Sequence, residues 1–533
     1  MPIRDYMHKP RVNSPWSRSR HIRRHFFVIL SLLCCSLQLS AQETASLPRS
    51  TPEAQGVSSP GLIDFLDAVA ESPHELHSIM MLRHGKVIAE GWWSPYRADL
   101  KHTLYSTSKS FTATAVGFAV SEGKLTVDDK VIGFFPNDLP ERISPYLKEL
   151  EVRDLLSMSV GHRTDPTGPV SGSENWVRAF LSTPIVYKPG TRFLYNSVAS
   201  HTLSAIVQKV TGQKTIDYLR RRLFDPLGIE GMDWETDPRG NNTGGWGLRL
   251  KTEDMAKFGQ LFLQEGKWQG RQILPATWIE QASTMKIEQD PNASEARKDA
   301  SDWLQGYCYQ MWRSRHNCYR ADGAFGQFII IMPDQDALVA ITAETSNMQS
   351  EINLVWQHIL PSLKSETLPA NPQALQKLRE RLASLALPLP ESHSSTLESD
   401  ISGKTFDFAS NEEGLRSASF EFKNTVCRLT LNTDAATYHI SFGTGEWEEG
   451  ETTRYGPYLV AKARGNRVGL PPFKIAGSYT WKDETTLQLT LRYIESPHTE
   501  TITWTFEGND ISVDFENSFS RSSKSTYKGK LQK

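Results

Sequence analysis

The stretch Ser106–Val120 constrains this chain more than any other, because it is apolar on nearly every side. Phe111, Ala113, Ala115, Val116, Phe118, Ala119 and Val120 leave little polar face for water, so a helix built from them belongs at the centre of a fold. Ser106 and Lys109 stand at its start, three residues apart, on one helix face. A hydroxyl and an amine so placed can share a proton. The positive end of the helix dipole favours negative charge developing on Ser106. A lysine at the mouth of a buried helix is desolvated, which disfavours its charged form and suits it to act as a base. Ser-x-x-Lys also occurs at Ser283–Lys286 and Ser525–Lys528, and the pattern alone marks a capped helix start with a solvated lysine just as well. The buried helix behind Ser106, and the partners downstream of it, set it apart.

Around this helix the chain changes period. Residues 77–83 and 86–93 are strand-like runs on either side of His84-Gly85, a hairpin signal. Residues 128–262 read as mainly helix and loop. Strand signals return at 306–312, 318–321, 327–332 and 337–342, and a helix over 351–363 follows. The simplest packing puts both strand sets in one antiparallel sheet flanked by helices, with a mainly helical insert: an α/β (α+β) domain spanning residues 42–364. Residues 365–395, with Pro369, Pro372, Pro388 and Pro390 around one helical segment at 374–385, read as a linker. From residue 396 to 533, short alternating runs at 418–423, 427–431, 437–442, 459–463, 486–493, 499–506 and 510–515 predict an all-β barrel or sandwich. It carries no catalytic constellation and reads as a packing or recognition module.

The N-terminus reads as an address. Arg18, Arg20, Arg23 and Arg24 precede an apolar run over 26–39, and Leu39-Ser40-Ala41 offers a cleavage site, so residues 1–41 are expected to be a signal peptide. The expected product is an exported, periplasmic protein with no membrane attachment after cleavage. Of the cysteines beyond the signal, Cys308 and Cys318 flank a hairpin-like stretch and are read either as a cross-strand disulfide or as two thiols. No Cys/His spacing resembles a metal site. A net charge of −2 with no RNA- or DNA-binding motif argues against nucleic acid as a partner.

Two later stretches supply partners for Ser106. Tyr195 and Ser197 share a side in an extended loop, and a phenol beside a hydroxyl can relay a proton. A Tyr phenol ionises near pH 10, so acting as a base would require cationic neighbours such as Lys109. Gly323-Ala324-Phe325-Gly326-Gln327 leads into an apolar strand, where a backbone N–H can donate to an oxyanion. Read singly, the first is a half-buried loop aromatic and the second a sheet-edge bulge.

Taken together, the three stretches resemble the serine β-lactamase-like hydrolases, which include class C β-lactamases, penicillin-binding proteins, esterases and 6-aminohexanoate-dimer hydrolases. Ser106-x-x-Lys109 looks like the first motif of that family. Tyr195-x-Ser197 looks like the second, and Ala324-Phe325-Gly326 stands where the third falls. Residues 77–86, 154–162, 188–195 and 244–260 resemble the family too, whereas the C-terminal β region lies outside the resemblance. The resemblance implies an acyl-enzyme on Ser106, with Lys109 and Tyr195 as proton shuttle. The N–H groups of Ser106 and Gln327, beside Gly326, would form the oxyanion hole, with no metal or organic cofactor. Ser197 replaces the usual Asn of the second motif, and the third lacks the Lys or His that meets a substrate carboxylate. Both departures point to a small-molecule ester or amide substrate rather than a β-lactam or D-amino-acid peptide. Family-like positions also nominate Trp176 and Trp246 as substrate-lining residues, with core packing as the other reading. Also open are a non-catalytic binding or scaffold protein on the same fold, a β-lactamase or D-amino-acid peptidase, and cell-envelope contact through the C-terminal domain. No Gly-x-Ser-x-Gly is present to support an α/β-hydrolase elbow.

Overall fold

A computed structural model describes residues 46–520 and 525–533. The expected signal peptide lies outside the described residues. Among those described, no helix is long and apolar enough to cross a membrane.

The central sheet has six strands: β1 (Glu75–Arg83), β2 (Lys86–Trp92), β3 (Trp312–Arg313), β4 (Tyr319–Gly323), β5 (Gln327–Met332) and β6 (Ala337–Glu344). Their order is β2-β1-β6-β5-β4-β3, antiparallel throughout. The N-terminal hairpin therefore pairs with the C-terminal strands, with Ile79 opposite Ile341 and Phe328 also opposite Ile341. His84 and Gly85 both take positive φ (49° and 71°), as a two-residue hairpin turn requires. The strands read as unbroken apolar runs because both sheet faces are covered. Met80, Leu82, Ile329 and Ile331 enter one core, shared with α2 (Ser108–Ser121), α3 (Ser197–Thr211) and α4 (Thr252–Leu263). Ile79, Met81, Phe328 and Ile330 enter a second core under α1 (Ser59–Glu71) and the helical turns near 348–362. Helix α2 is buried from Ser108 to Ala119, as its composition demands.

Two expectations about the C-terminal half need correction. Residues 365–395 are not a free tether. They carry helix α5 (Pro372–Ala383), which puts Leu378 into the second core, and Leu385 and Leu387 follow it there. Residues 459–463 are turns rather than a strand. They belong to a loop that lies on the hydrolase-like domain, where Tyr458 and Ala463 join the first core and Arg464 N–H donates to Ser171 O at 2.9 Å. The alternation along 459–463 reflects this contact rather than a sheet face.

The C-terminal region is a barrel. Nine strands run in one ring, which closes through a parallel bridge between Gly443 and Ser478. Its interior is filled by Trp481, Trp504, Phe406, Phe420, Leu429 and Leu489, so it is a packed core. Strand Thr499–Glu507 shows the expected alternation of burial, whereas Phe473–Trp481 does not. The latter strand is buried on its outer side too, where Ala476 meets the second core, and so it lacks the alternating signal. The Arg492 guanidinium joins the barrel to the sheet by pairing with both oxygens of Glu75 at 2.5 and 3.1 Å. Cys308 and Cys318 are separate buried thiols, which burial pushes up to a pKa of about 12.

Candidate active site

Ser106 sits on the tight turn Tyr105–Thr107, which runs directly into α2 and leaves it half-buried at the helix N-terminus. One turn on, Lys109 is 1% exposed. Its Nζ lies 2.8 Å from Ser106 Oγ, 3.0 Å from Ser197 Oγ and 2.6 Å from the Gly245 carbonyl oxygen. Among the described residues no carboxylate pairs with it. Burial therefore dominates and lowers its pKa to about 7, with Asp165 and Asp322 opposing from a distance. A neutral amine has two N–H groups and one lone pair. The Gly245 oxygen can only accept, so one N–H goes there, and the lone pair is left for a hydroxyl such as that of Ser106.

Tyr195 stands beside Ser106, and Lys109 Nζ lies 4.8 Å from its ring centre. The ring stacks on Trp312 at 5.5 Å. Here the chemistry departs from expectation. A cationic Lys109 would lower the phenol's pKa, but burial raises it well above its ordinary value, and Ser106 only partly offsets this. Tyr195 is thus a neutral hydroxyl. Ser197 opens α3 rather than lying in an extended loop, and Asn196 caps that helix, its Oδ1 accepting from Ala199 N–H at 3.1 Å. The cap orients Ser197 towards Lys109 while consuming the Asn196 amide oxygen.

The third stretch meets the first through backbone. Thr107 Oγ1 donates to the Gln327 carbonyl at 2.7 Å. Gly323 is required at this crossing, because a Cβ there would stand 2.3 Å from Leu104 O. The Gln327 side chain turns away and bonds Ala343 on both sides, donating to its oxygen at 2.6 Å and accepting from its N–H at 3.3 Å. The Gln327 side chain is therefore committed within the fold and does not serve a substrate. Gly326 has φ +92°, and a Cβ on it would be 2.1 Å from a carboxylate oxygen of the buried Glu351.

Trp176 and Trp246 follow the packing reading and not the substrate-lining one. They are 0% and 2% exposed, with rings 5.5 Å apart in the first core. They present no surface to a substrate and act as packing behind the Gly245 carbonyl. Sequence reading did not single out Gly245 or Trp312. A backbone carbonyl leaves no residue-type signal, and Trp312 becomes a neighbour only when β3 closes the sheet. The competing Ser-x-x-Lys patterns also separate. Ser283 ends a short helix and Ser525 lies in a barrel strand. Ser121, which with Lys124 forms a further copy, is the last residue of α2.

A family model described as Beta-lactamase matches residues 77–359. The chain is 26% identical over 231 residues to a "Putative D-alanyl-D-alanine carboxypeptidase" of Escherichia coli (strain K12), covering 38% of this chain and 53% of that protein. It is 24% identical over 283 residues to the 6-aminohexanoate-dimer hydrolase of Paenarthrobacter ureafaciens, covering 49% and 71%. The chain spans about half the length of the carboxypeptidase relatives it matches. Among solved structures, the "Putative 6-aminohexanoate-dimer hydrolase from Bacillus anthracis" superposes with a TM-score of 0.49 at 19% identity, over 61% of this chain and 89% of that one. The octameric penicillin-binding protein homologue from Pyrococcus abyssi superposes with a TM-score of 0.44 at 18% identity, over 89% and 99%.

Proposed function

Since the chain belongs to the beta-lactamase family, a family of serine hydrolases, we propose that it hydrolyses an ester or small amide through an acyl-enzyme on Ser106. The observation that carries this reading is the buried Lys109 amine, 2.8 Å from Ser106 Oγ and with a pKa of about 7. Neutral Lys109 takes the Ser106 proton as Oγ attacks the substrate carbonyl. The N–H groups of Ser106 and Gln327 stabilise the oxyanion. Tyr195, a neutral phenol beside Ser106, relays the proton from Lys109 to the leaving group. Water, deprotonated by the same lysine, then attacks the acyl carbonyl and releases the acid and free Ser106. Ester or amide cleavage is favoured over β-lactams because Ala324 stands at the third-motif position where the family has the Lys or His that meets a substrate carboxylate.

The test is intact-mass and peptide mass spectrometry after exposure to a fluorophosphonate, followed by a panel of short-chain esters, β-lactams and D-amino-acid amides. A single adduct on the Ser106 peptide supports the reading. A folded protein that takes no adduct would favour a binding or scaffold role on this fold. Tyr195→Phe separates the two proton carriers. With the phenol acting only as relay, kcat falls by about 10²-fold, the low end for a general acid–base group. The pH at half-maximal kcat/KM should stay with Lys109, near 7. A profile that shifts with this substitution would make Tyr195 the base instead.

We further propose export, supported by the Arg-rich lead and apolar run before Ala41. Expressed in a two-membrane bacterium, the protein should be recovered in the periplasmic fraction starting at Gln42, and recovery only in the cytoplasm, starting at Met1 or Met7, rejects the proposal. Any contact of the barrel with the envelope would use its outer surface, since its interior is packed.

A further inference from the structure

Tyr105, immediately before Ser106, has φ +45°, and Phe325, two residues before Gln327, has φ +67°. Such values are outliers for bulky residues and persist only where the surroundings enforce them. Both side chains end on one residue of the barrel. The Tyr105 hydroxyl donates to His498 Nε2 at 2.5 Å and accepts from Leu459 N–H at 3.3 Å. The Phe325 ring meets His498 edge-on at 4.8 Å. His498 is itself fixed. Its Nδ1–H donates to Glu344 Oε1 at 2.7 Å, which sets the tautomer that leaves Nε2 to accept from Tyr105. Ser518 Oγ donates to the same Glu344 oxygen at 2.6 Å, and Phe519 covers the imidazole at 4.4 Å. His498 is 0% exposed, so water offers neither turn an alternative partner.

We propose that the barrel is a working part of the active site: His498, held by Glu344, is a positioning residue that fixes the two strained turns carrying Ser106 and Gln327. It touches neither the nucleophile nor a substrate. It acts through Tyr105 and Phe325, setting the distance between the Ser106 Oγ and the oxyanion donors. This inference rests on the reading of Ser106 as the nucleophile.

The test uses the full chain and the rate of fluorophosphonate labelling at Ser106, resolved into probe affinity and the first-order acylating step. Three variants are compared: Tyr105→Phe, which removes a single oxygen, His498→Ala, and His498→Gln, whose amide can accept from Tyr105 and donate to Glu344. Tyr105→Phe and His498→Ala should slow the first-order step by about 10- to 100-fold, the loss that goes with a misplacement near 1 Å, while leaving probe affinity within about twofold. His498→Gln should recover most of that step. Thermal midpoints are measured alongside. Wild-type rates of labelling in all three variants overturn the proposal, and so does a lowered midpoint with an unchanged first-order step, which would make the contact merely structural. A wild-type protein that takes no adduct rejects the nucleophile assignment instead, and is told apart from these outcomes by the wild-type control alone.

Discussion

Ser106→Ala should remove both the fluorophosphonate adduct and turnover. Its expected loss in kcat is about 10⁶-fold on any substrate the wild type cleaves, because without the nucleophile no acyl-enzyme can form. The fold should survive. Ser106 is half-buried, and its side chain meets Lys109 and Tyr195. The loss of one hydroxyl leaves Lys109 with Ser197 and the Gly245 carbonyl. Circular dichroism and a thermal midpoint within a few degrees of wild type would show that the effect is chemical. Retained turnover with an intact fold would move the nucleophile elsewhere.

Lys109→Met is the second large effect, and it has two opposite signs. Acylation should fall by about 10³- to 10⁴-fold, the upper range for loss of a general base. Lys286→Ala and Lys528→Ala should leave it unchanged, since neither lysine stands at the start of a buried helix. In the wild type, kcat/KM should rise with pH through about 7 as Lys109 loses its proton, then level off. Tyr195 adds no further limb below pH 10, because burial moves its pKa upwards.

Stability should change the other way. The folded-state pKa of Lys109 is depressed from 10.5 to about 7, so the unfolded chain binds more protons between those values. Stability therefore rises with pH across that window, and the cost of burying the lysine is largest at and below pH 7. Removing the lysine relieves at most about 5 kcal/mol at neutral pH. The orphaned Gly245 carbonyl gives back about 1–3 kcal/mol. The thermal midpoint of Lys109→Met at pH 7 should thus lie at or above wild type. A clear drop would mean that Lys109 is held charged, and the base assignment would fail.

Much of the candidate site is legible in sequence because it is local. Ser106 and Lys109 lie one helical turn apart, and an all-round apolar helix has few places to go but the core. The sheet is legible for a similar reason, since two-sided burial writes itself as runs such as Phe328-Ile329-Ile330-Ile331. Sequence leaves the indoles open between lining and packing because position in a family-like stretch does not say which way a ring points. Trp176 and Trp246 face each other in the core. The condition that sequence sets for Tyr195 to act as a base is not met. Lys109 is too deeply buried to remain a dependable cation, so it cannot pull the phenol's pKa down.

Periodicity, and contacts within one turn of helix, were enough to pair Ser106 with Lys109, to place a sheet on both sides of the helical middle, and to make the C-terminal region all-β. Packing settled everything else. It brought Gly245 to Lys109 from 136 residues away and joined Tyr105 to His498 across 393. It also docked the helix of a linker-like stretch onto the second core and made a strand-like run a loop against the hydrolase-like domain. The physical reason is the same in each case. Desolvation, closed hydrogen bonds and strained turns depend on what lies on the far side of a residue, and that is set by contact between distant segments rather than by spacing along the chain.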